Sequence, residues 1–164
     1  MLSRILFGKI QYITIISAGK KLAKICKVCK KSLLMQKNIN LGNIIEKGYV
    51  SDYELSILYQ NSKGLIYPSK YEGFGLPPLE AMNHGCPVLT TPYSSIPEVC
   101  EDAGVYVDCD SYKNIAYSIN TIINDQEKRG KYISLSLVQS KKFNWANSAK
   151  QIIEICERVN NINI

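Results

Sequence analysis

The chain of 164 residues has little histidine and no long apolar run, and each shortage argues against a class of protein. His84 is the single histidine, so a zinc site with histidine ligands is disfavoured, and its place before Gly85 is typical of a helix C-terminus. The lone Cys26-Lys27-Val28-Cys29 is interpreted as two cysteines on adjacent turns of a helix. No uninterrupted apolar stretch reaches the ~20 residues needed to cross a bilayer. The six cysteines are scattered, which favours reduced thiols in the cytosol and predicts a cytoplasmic domain.

The net charge of +6 is concentrated in residues 20–37, where lysines alternate with apolar residues as in an amphipathic helix. Two interpretations of this basic helix stay open. We favour the solvated face of a crossover helix, and the alternative is peripheral contact with an anionic membrane on its cytosolic face. No set of base-stacking aromatic residues accompanies the lysines, so nucleic acid is not expected as a partner.

Strand-like and helix-like segments alternate along the chain. Strands are predicted at 11–18, 44–50, 64–67, 87–91 and 104–107, and helices at 20–35, 51–61, 78–84, 96–100, 111–124, 126–141 and 145–159. Ser51-x-x-Glu54 is a capping box at the start of the second helix. The alternation predicts an α/β fold with a Rossmann-like parallel sheet and helices on both faces. Residues 1–164 would form one domain, with 111–160 as its C-terminal helices.

The most informative stretch runs from Tyr67 to Met82 and holds two glutamates separated by seven residues. An apolar run precedes it and a helix-compatible segment follows, which predicts a strand, a tight loop and a helix. In an open α/β sheet such a loop lies at the carboxyl end of a strand, where ligands bind. Pro78 suits the first helical position, which would place Glu80 in the first turn beside the positive end of the helix dipole. Glu72 and Glu80 would then face one crevice as acceptors for paired sugar hydroxyls.

This stretch resembles the signature of the retaining glycosyltransferases of the glycogen-synthase-like group, often called family 4. That signature is carried here by Glu72-Gly73-Phe74-Gly75-Leu76-Pro77 and Glu80-Ala81-Met82, followed in family order by Gly85-Cys86-Pro87-Val88 and Ile96-Pro97-Glu98-Val99. The resemblance covers about residues 11–160. It implies the C-terminal, nucleotide-sugar-binding half of an enzyme with the GT-B fold, truncated so that the N-terminal acceptor domain is missing.

The resemblance also implies roles for the signature residues. Glu72 and Glu80 would be the catalytic carboxylates, with Glu72 on the transferred sugar and Glu80 on the ribose hydroxyls of a nucleoside-diphosphate sugar. Backbone N–H groups would meet the sugar and the distal phosphate; they belong to Gly73, Phe74, Gly75 and Leu76. The enzyme would transfer the sugar to an acceptor hydroxyl with retention, using no cofactor and no metal ion.

Two further patterns are set aside. Arg4 and Lys9 have the spacing of the family's diphosphate-binding pair, but too few residues separate them from the strand at 11–18 to form the helix between. Asp108-Cys109-Asp110 is an Asp-x-Asp pattern, which in another glycosyltransferase architecture holds a divalent metal. Here the pattern follows the last predicted strand, so a metal-binding role is not assigned to it.

A function of another class stays open beside the enzyme. The chain would then be a non-catalytic fragment or binding module that a separate N-terminal half, or a second copy, completes. A sheet that lacks a strand would expose backbone and apolar surface, which favours such association.

Overall fold

The computed structural model describes residues 4–8, 15–18 and 44–160. Its strands are β1 (Arg4–Gly8), β2 (Ile15–Ala18), β3 (Ile44–Gly48), β4 (Ser62–Tyr67), β5 (Val88–Thr90) and β6 (Gly104–Tyr106). Its helices are α1 (Asp52–Asn61), α2 (Leu76–Asn83), α3 (Ile96–Cys100), α4 (Tyr112–Asn124), α5 (Gln126–Ser140) and α6 (Trp145–Asn160), with a short 3-10 helix at Glu101–Ala103. The predicted basic helix at 20–35, with its possible membrane contact, lies outside the described residues.

The six strands form one sheet in the order β3-β2-β1-β4-β5-β6, which is the order of doubly wound nucleotide-binding sheets. Five strands are parallel to one another, and β1 is antiparallel to both of its neighbours. The sequence pattern predicts neither β1 nor its direction. Only residues 9–14 link β1 to β2, and a parallel connection needs a dozen residues or more. The short link therefore requires antiparallel pairing, which agrees with the exclusion of a helix between Arg4 and the second strand.

Helices cover both faces of the sheet, as predicted. Along β4 the side chains alternate, so that Leu65 and Tyr67 join the core formed with α1, α2 and α3, while Ile66 lies on the opposite face. That face is covered by α4, which packs against β4 and β5. The parallel strands thus have two buried faces, and the residues of β4 from Gly64 to Tyr67 are all buried.

The capping box at the start of α1 is confirmed. Ser51 Oγ accepts the Glu54 N–H at 3.3 Å, and the Glu54 carboxylate accepts the Ser51 N–H at 2.9 Å. Two of the donors that a helix N-terminus leaves unpaired are satisfied in this way. Within the described ranges, no helix is long and apolar enough to cross a membrane.

Candidate functional site

The signature glutamates lie on and after a loop at the carboxyl end of β4. This motif loop, residues 68–75, passes beside the segment that follows β5. Four hydroxyl groups, from the last residue of β5 and from that segment, donate to motif-loop carbonyls or to the end of β4. We call these four groups the hydroxyl clamp. Thr90 Oγ1 donates to Tyr67 O at 2.9 Å, and Thr91 Oγ1 donates to Ser69 O. Ser94 Oγ and Ser95 Oγ both donate to Glu72 O, at 2.7 Å and 3.0 Å. Side-chain hydrogen bonds therefore hold the loop backbone beyond the point where the backbone hydrogen bonds between β4 and β5 end.

The Glu72 carboxylate is held through one of its two oxygens. Tyr67 OH and Ser69 Oγ each lie 2.7 Å from Glu72 Oε1 as donors, and Tyr71 O is a second, more distant acceptor for Ser69 Oγ at 3.1 Å. Both donors are on buried residues, with exposed fractions of 3% for Tyr67 and 2% for Ser69. Within the described part of the chain nothing donates to Glu72 Oε2. The carboxylate thus has a fixed oxygen and a second oxygen with acceptor capacity to spare.

Helix α2 begins at Leu76, so the prediction that Pro78 is its first residue is wrong. The N-cap is Gly75, whose φ of 101° lies in the left-handed region that glycine tolerates. A Cβ there would also come within 2.9 Å of Ile96 Cδ1. Both prolines fall inside the first turn, and Glu80 is the fifth helical residue, beyond that turn. The helix dipole therefore stabilises the Glu80 carboxylate less than predicted, because its effect falls off within the first turn.

Four consecutive peptide N–H groups near the start of α2 have no acceptor among the described residues; they belong to Gly73, Phe74, Gly75 and Leu76. The next two residues are prolines and have no N–H. A Cβ built on Gly73 would meet nothing within 4 Å, so the loop is open to solvent on that side. Such a run of unpaired donors at a helix N-terminus is an anion-binding arrangement.

Glu80 is contacted from α1 by a residue that the sequence analysis did not single out. Tyr59 OH lies 3.3 Å from Glu80 Oε2, and its ring is 1% exposed. The same ring stacks on His84 with centroids 5.8 Å apart and an interplanar angle of 18°. His84 is the C-cap of α2, as predicted. Each signature glutamate is thus contacted by the hydroxyl of a buried tyrosine.

The Phe74 side chain packs against the protein on one side and is partly exposed on the other. Its ring makes an edge-to-face contact with Phe143, with centroids 5.8 Å apart, and Phe143 packs against the core. Phe74 is nevertheless 43% exposed. It anchors the motif loop and still presents ring surface beside the open N–H groups.

The Asp108-Cys109-Asp110 cluster has its ligand atoms within 4.8 Å of one another, but its carboxylates are engaged by the protein. Asp110 pairs with Lys70 at 2.8 Å, and this contact raises the pKa of the lysine. Asp108 Oδ1 accepts the Asp110 N–H at 2.9 Å. The exposed Asp110–Lys70 pair links the loop after β6 to the motif loop.

Two buried cysteines lack the ionisation that a nucleophile needs. Burial raises the pKa of Cys100 to about 12 and that of Cys86 further still. The thiolate is the reactive form, so burial argues against either residue as a nucleophile. The four cysteines in the described ranges form no disulfide with one another.

The doubly wound order and a glycine-containing loop at the carboxyl end of a strand are features of the doubly wound α/β class, in which ligands bind at that edge of the sheet. Residues 27–135 match the family described as glycosyl transferases, group 1. That match covers more than half of the chain, and the protein belongs to this family.

Two relatives agree with this membership, and a solved structure shares the fold. The chain is 39% identical over 120 residues to O-antigen chain mannosyltransferase B of Escherichia coli, covering 73% of this chain and 32% of that protein. It is 34% identical over 116 residues to the serotype-specific mannosyltransferase WbdA of Escherichia coli, covering 71% of this chain and 14% of that protein. The fold matches sucrose-phosphate synthase from Thermosynechococcus elongatus with a TM-score of 0.67 at 22% identity, over 75% of this chain and 32% of that one. The chain thus spans about a third, or less, of the proteins it matches.

Proposed function

We propose that the chain is the nucleotide-sugar-binding domain of a retaining, metal-independent glycosyltransferase that transfers mannose. The observation that carries the proposal is the run of four unpaired N–H groups from Gly73 to Leu76, set between two carboxylates that tyrosine hydroxyls contact. The N–H groups suit the diphosphate and the carboxylates suit sugar hydroxyls. Family membership supports sugar transfer, and the names of two relatives, both mannosyltransferases, support mannose.

In this proposal Glu80 accepts hydrogen bonds from the two ribose hydroxyls, since two carboxylate oxygens can grip a vicinal diol. Glu72 accepts from hydroxyls of the transferred sugar through Oε2. As the bond to the sugar breaks, negative charge develops on the departing diphosphate, and the N–H groups at the start of α2 stabilise it. The leaving phosphate itself deprotonates the acceptor hydroxyl on the same face of the sugar. The protein contributes positioning and electrostatics rather than a nucleophile.

The proposal is tested by ligand-observed NMR of the purified chain with GDP-mannose, UDP-glucose and ADP-glucose. We expect saturation transfer to the ribose of one donor. Glu80→Ala should weaken that donor's binding about tenfold to a hundredfold, because a hydrogen bond to a charged group contributes roughly 1.5–3 kcal/mol. Glu157→Ala is the matched control, since Glu157 is an exposed glutamate on α6. Transfer to UDP-glucose or ADP-glucose but not to GDP-mannose would refute mannose as the sugar. Absence of transfer to all three donors, from a sample whose amide spectrum shows a folded chain, would refute donor binding and with it the proposal.

A further inference from the structure

We infer that Tyr67 and Ser69 are positioning residues that set how tightly the site holds the sugar moiety of the donor, by fixing the Glu72 carboxylate. The inference rests on the proposed function, in which Glu72 contacts the sugar. Its basis is the unequal use of the two carboxylate oxygens: Oε1 accepts both hydroxyl hydrogen bonds at 2.7 Å, a length typical of O–H donors to a carboxylate. The second oxygen is left to accept from a ligand.

Both donors are themselves held in place. Tyr67 ends β4, where its ring packs in the core and its carbonyl accepts from Thr90. The Ser69 carbonyl accepts from Thr91 in the same way. The two hydroxyls that meet Glu72 Oε1 therefore come from backbone that the hydroxyl clamp fixes.

The Glu72 backbone is fixed as well, because its carbonyl accepts from Ser94 at 2.7 Å and from Ser95 at 3.0 Å. The side chain is thus restrained at both ends, by its peptide group and by its carboxylate. A free glutamate would lose rotamer freedom on binding a ligand, and a carboxylate ordered beforehand avoids that loss. Removing the two hydroxyls should leave Glu72 in the site but no longer aligned.

A purely structural role makes a different prediction. Buried hydroxyls need acceptors, and Glu72 Oε1 would serve simply as the acceptor for Tyr67 and Ser69. Loss of the hydroxyls would then change the stability of the chain, and any effect on binding would fall equally on ligands with and without a sugar. The ratio of two affinities separates the roles, because a general loss of folded protein cancels from it.

The experiment measures dissociation constants of the purified chain for GDP-mannose and for GDP, or for UDP-glucose and UDP if the uridine donor is the one bound. In the Tyr67→Phe, Ser69→Ala double variant we expect affinity for the sugar-bearing donor to fall about tenfold. Affinity for the nucleoside diphosphate alone should change less than about twofold. The controls are Tyr117→Phe, which removes the hydroxyl of a 70% exposed tyrosine on α4, and Ser136→Ala, which removes a buried hydroxyl that has no hydrogen-bond partner among the described residues.

A double-mutant cycle shows whether the hydroxyls act through Glu72. In a Glu72→Ala background, Tyr67→Phe and Ser69→Ala should have no further effect on the affinity for the sugar-bearing donor. Equal losses for both ligands, an unchanged ratio, or full additivity with Glu72→Ala would overturn the inference while the proposed function stands. If the native chain binds GDP-mannose or UDP-glucose no better than the matching diphosphate, Glu72 has no sugar contact to position and the inference is wrong. If the native chain binds no donor, the proposed function fails first, and the inference fails with it.

Discussion

Helices α4 and α6 have the same kind of amphipathic sequence and opposite surroundings. In α4 the apolar residues at helical spacing are buried over β4 and β5: Ile115, Ala116, Ile119 and Ile122. In α6 a comparable set is exposed: Trp145, Ile152, Ile153, Ile155 and Val159. Every residue of α6 is exposed, and no element in the described part of the chain covers its apolar face. Apolar periodicity therefore predicts a helix and its apolar side, but not the surface against which that side packs.

The largest loss of stability is expected when a buried apolar side chain of α4 is truncated. Ile119 is fully buried, so Ile119→Ala removes packed methyl groups and leaves a cavity. We expect it to lower the free energy of unfolding by about 2–4 kcal/mol. Urea denaturation followed by circular dichroism measures the change. A loss below about 1 kcal/mol would mean that α4 packs on the sheet more loosely than the structure shows.

Two glycines of the motif loop region offer a smaller version of the same contrast between packed and open surroundings. Gly75→Ala should destabilise the chain by about 1–3 kcal/mol, because its left-handed φ strains an alanine and the new Cβ meets buried Ile96. Gly73→Ala adds its Cβ to open space, and we expect a change within about 0.5 kcal/mol. Thermal unfolding of the two variants under one condition tests the pair. Equal destabilisation would contradict the geometry of the loop.

Much of the fold could be predicted from the sequence because glycine, proline and capping residues mark the ends of its elements. The capping box at Ser51 placed the start of α1, and the predicted strand at 64–67 lies within β4. The start of α2 was misplaced because two adjacent prolines fit the first turn in more than one register, and the left-handed Gly75 decides between them. Strand β1 was missed altogether, and with it the antiparallel pairing that its short link to β2 requires.

Part of the candidate site was likewise predicted from the sequence, and part was not. Glu72, Glu80 and the motif glycines were predicted from local spacing, and whether they bind a donor remains a prediction. The hydroxyl clamp was not predicted, because its contacts join residues about 22 positions apart and depend on β4 and β5 being neighbours in the sheet. Tyr59 was missed for the same reason, since its contact with Glu80 joins residues 21 positions apart on two different helices. Threonines and serines at the end of a short buried strand and just after it were the available signal for the clamp.

The smallest effect is expected in α6, and it completes the comparison with α4. Ile152 is 61% exposed, so Ile152→Ala removes few packing contacts, while alanine has the higher helix propensity. The free energy of unfolding should therefore change by less than about 0.5 kcal/mol in the same urea experiment as Ile119→Ala. A loss above about 1 kcal/mol would show that α6 buries its apolar face in solution, because an exposed isoleucine cannot contribute that much. If that loss grew with protein concentration, the buried surface would lie between copies of this chain, and if it did not, within one copy.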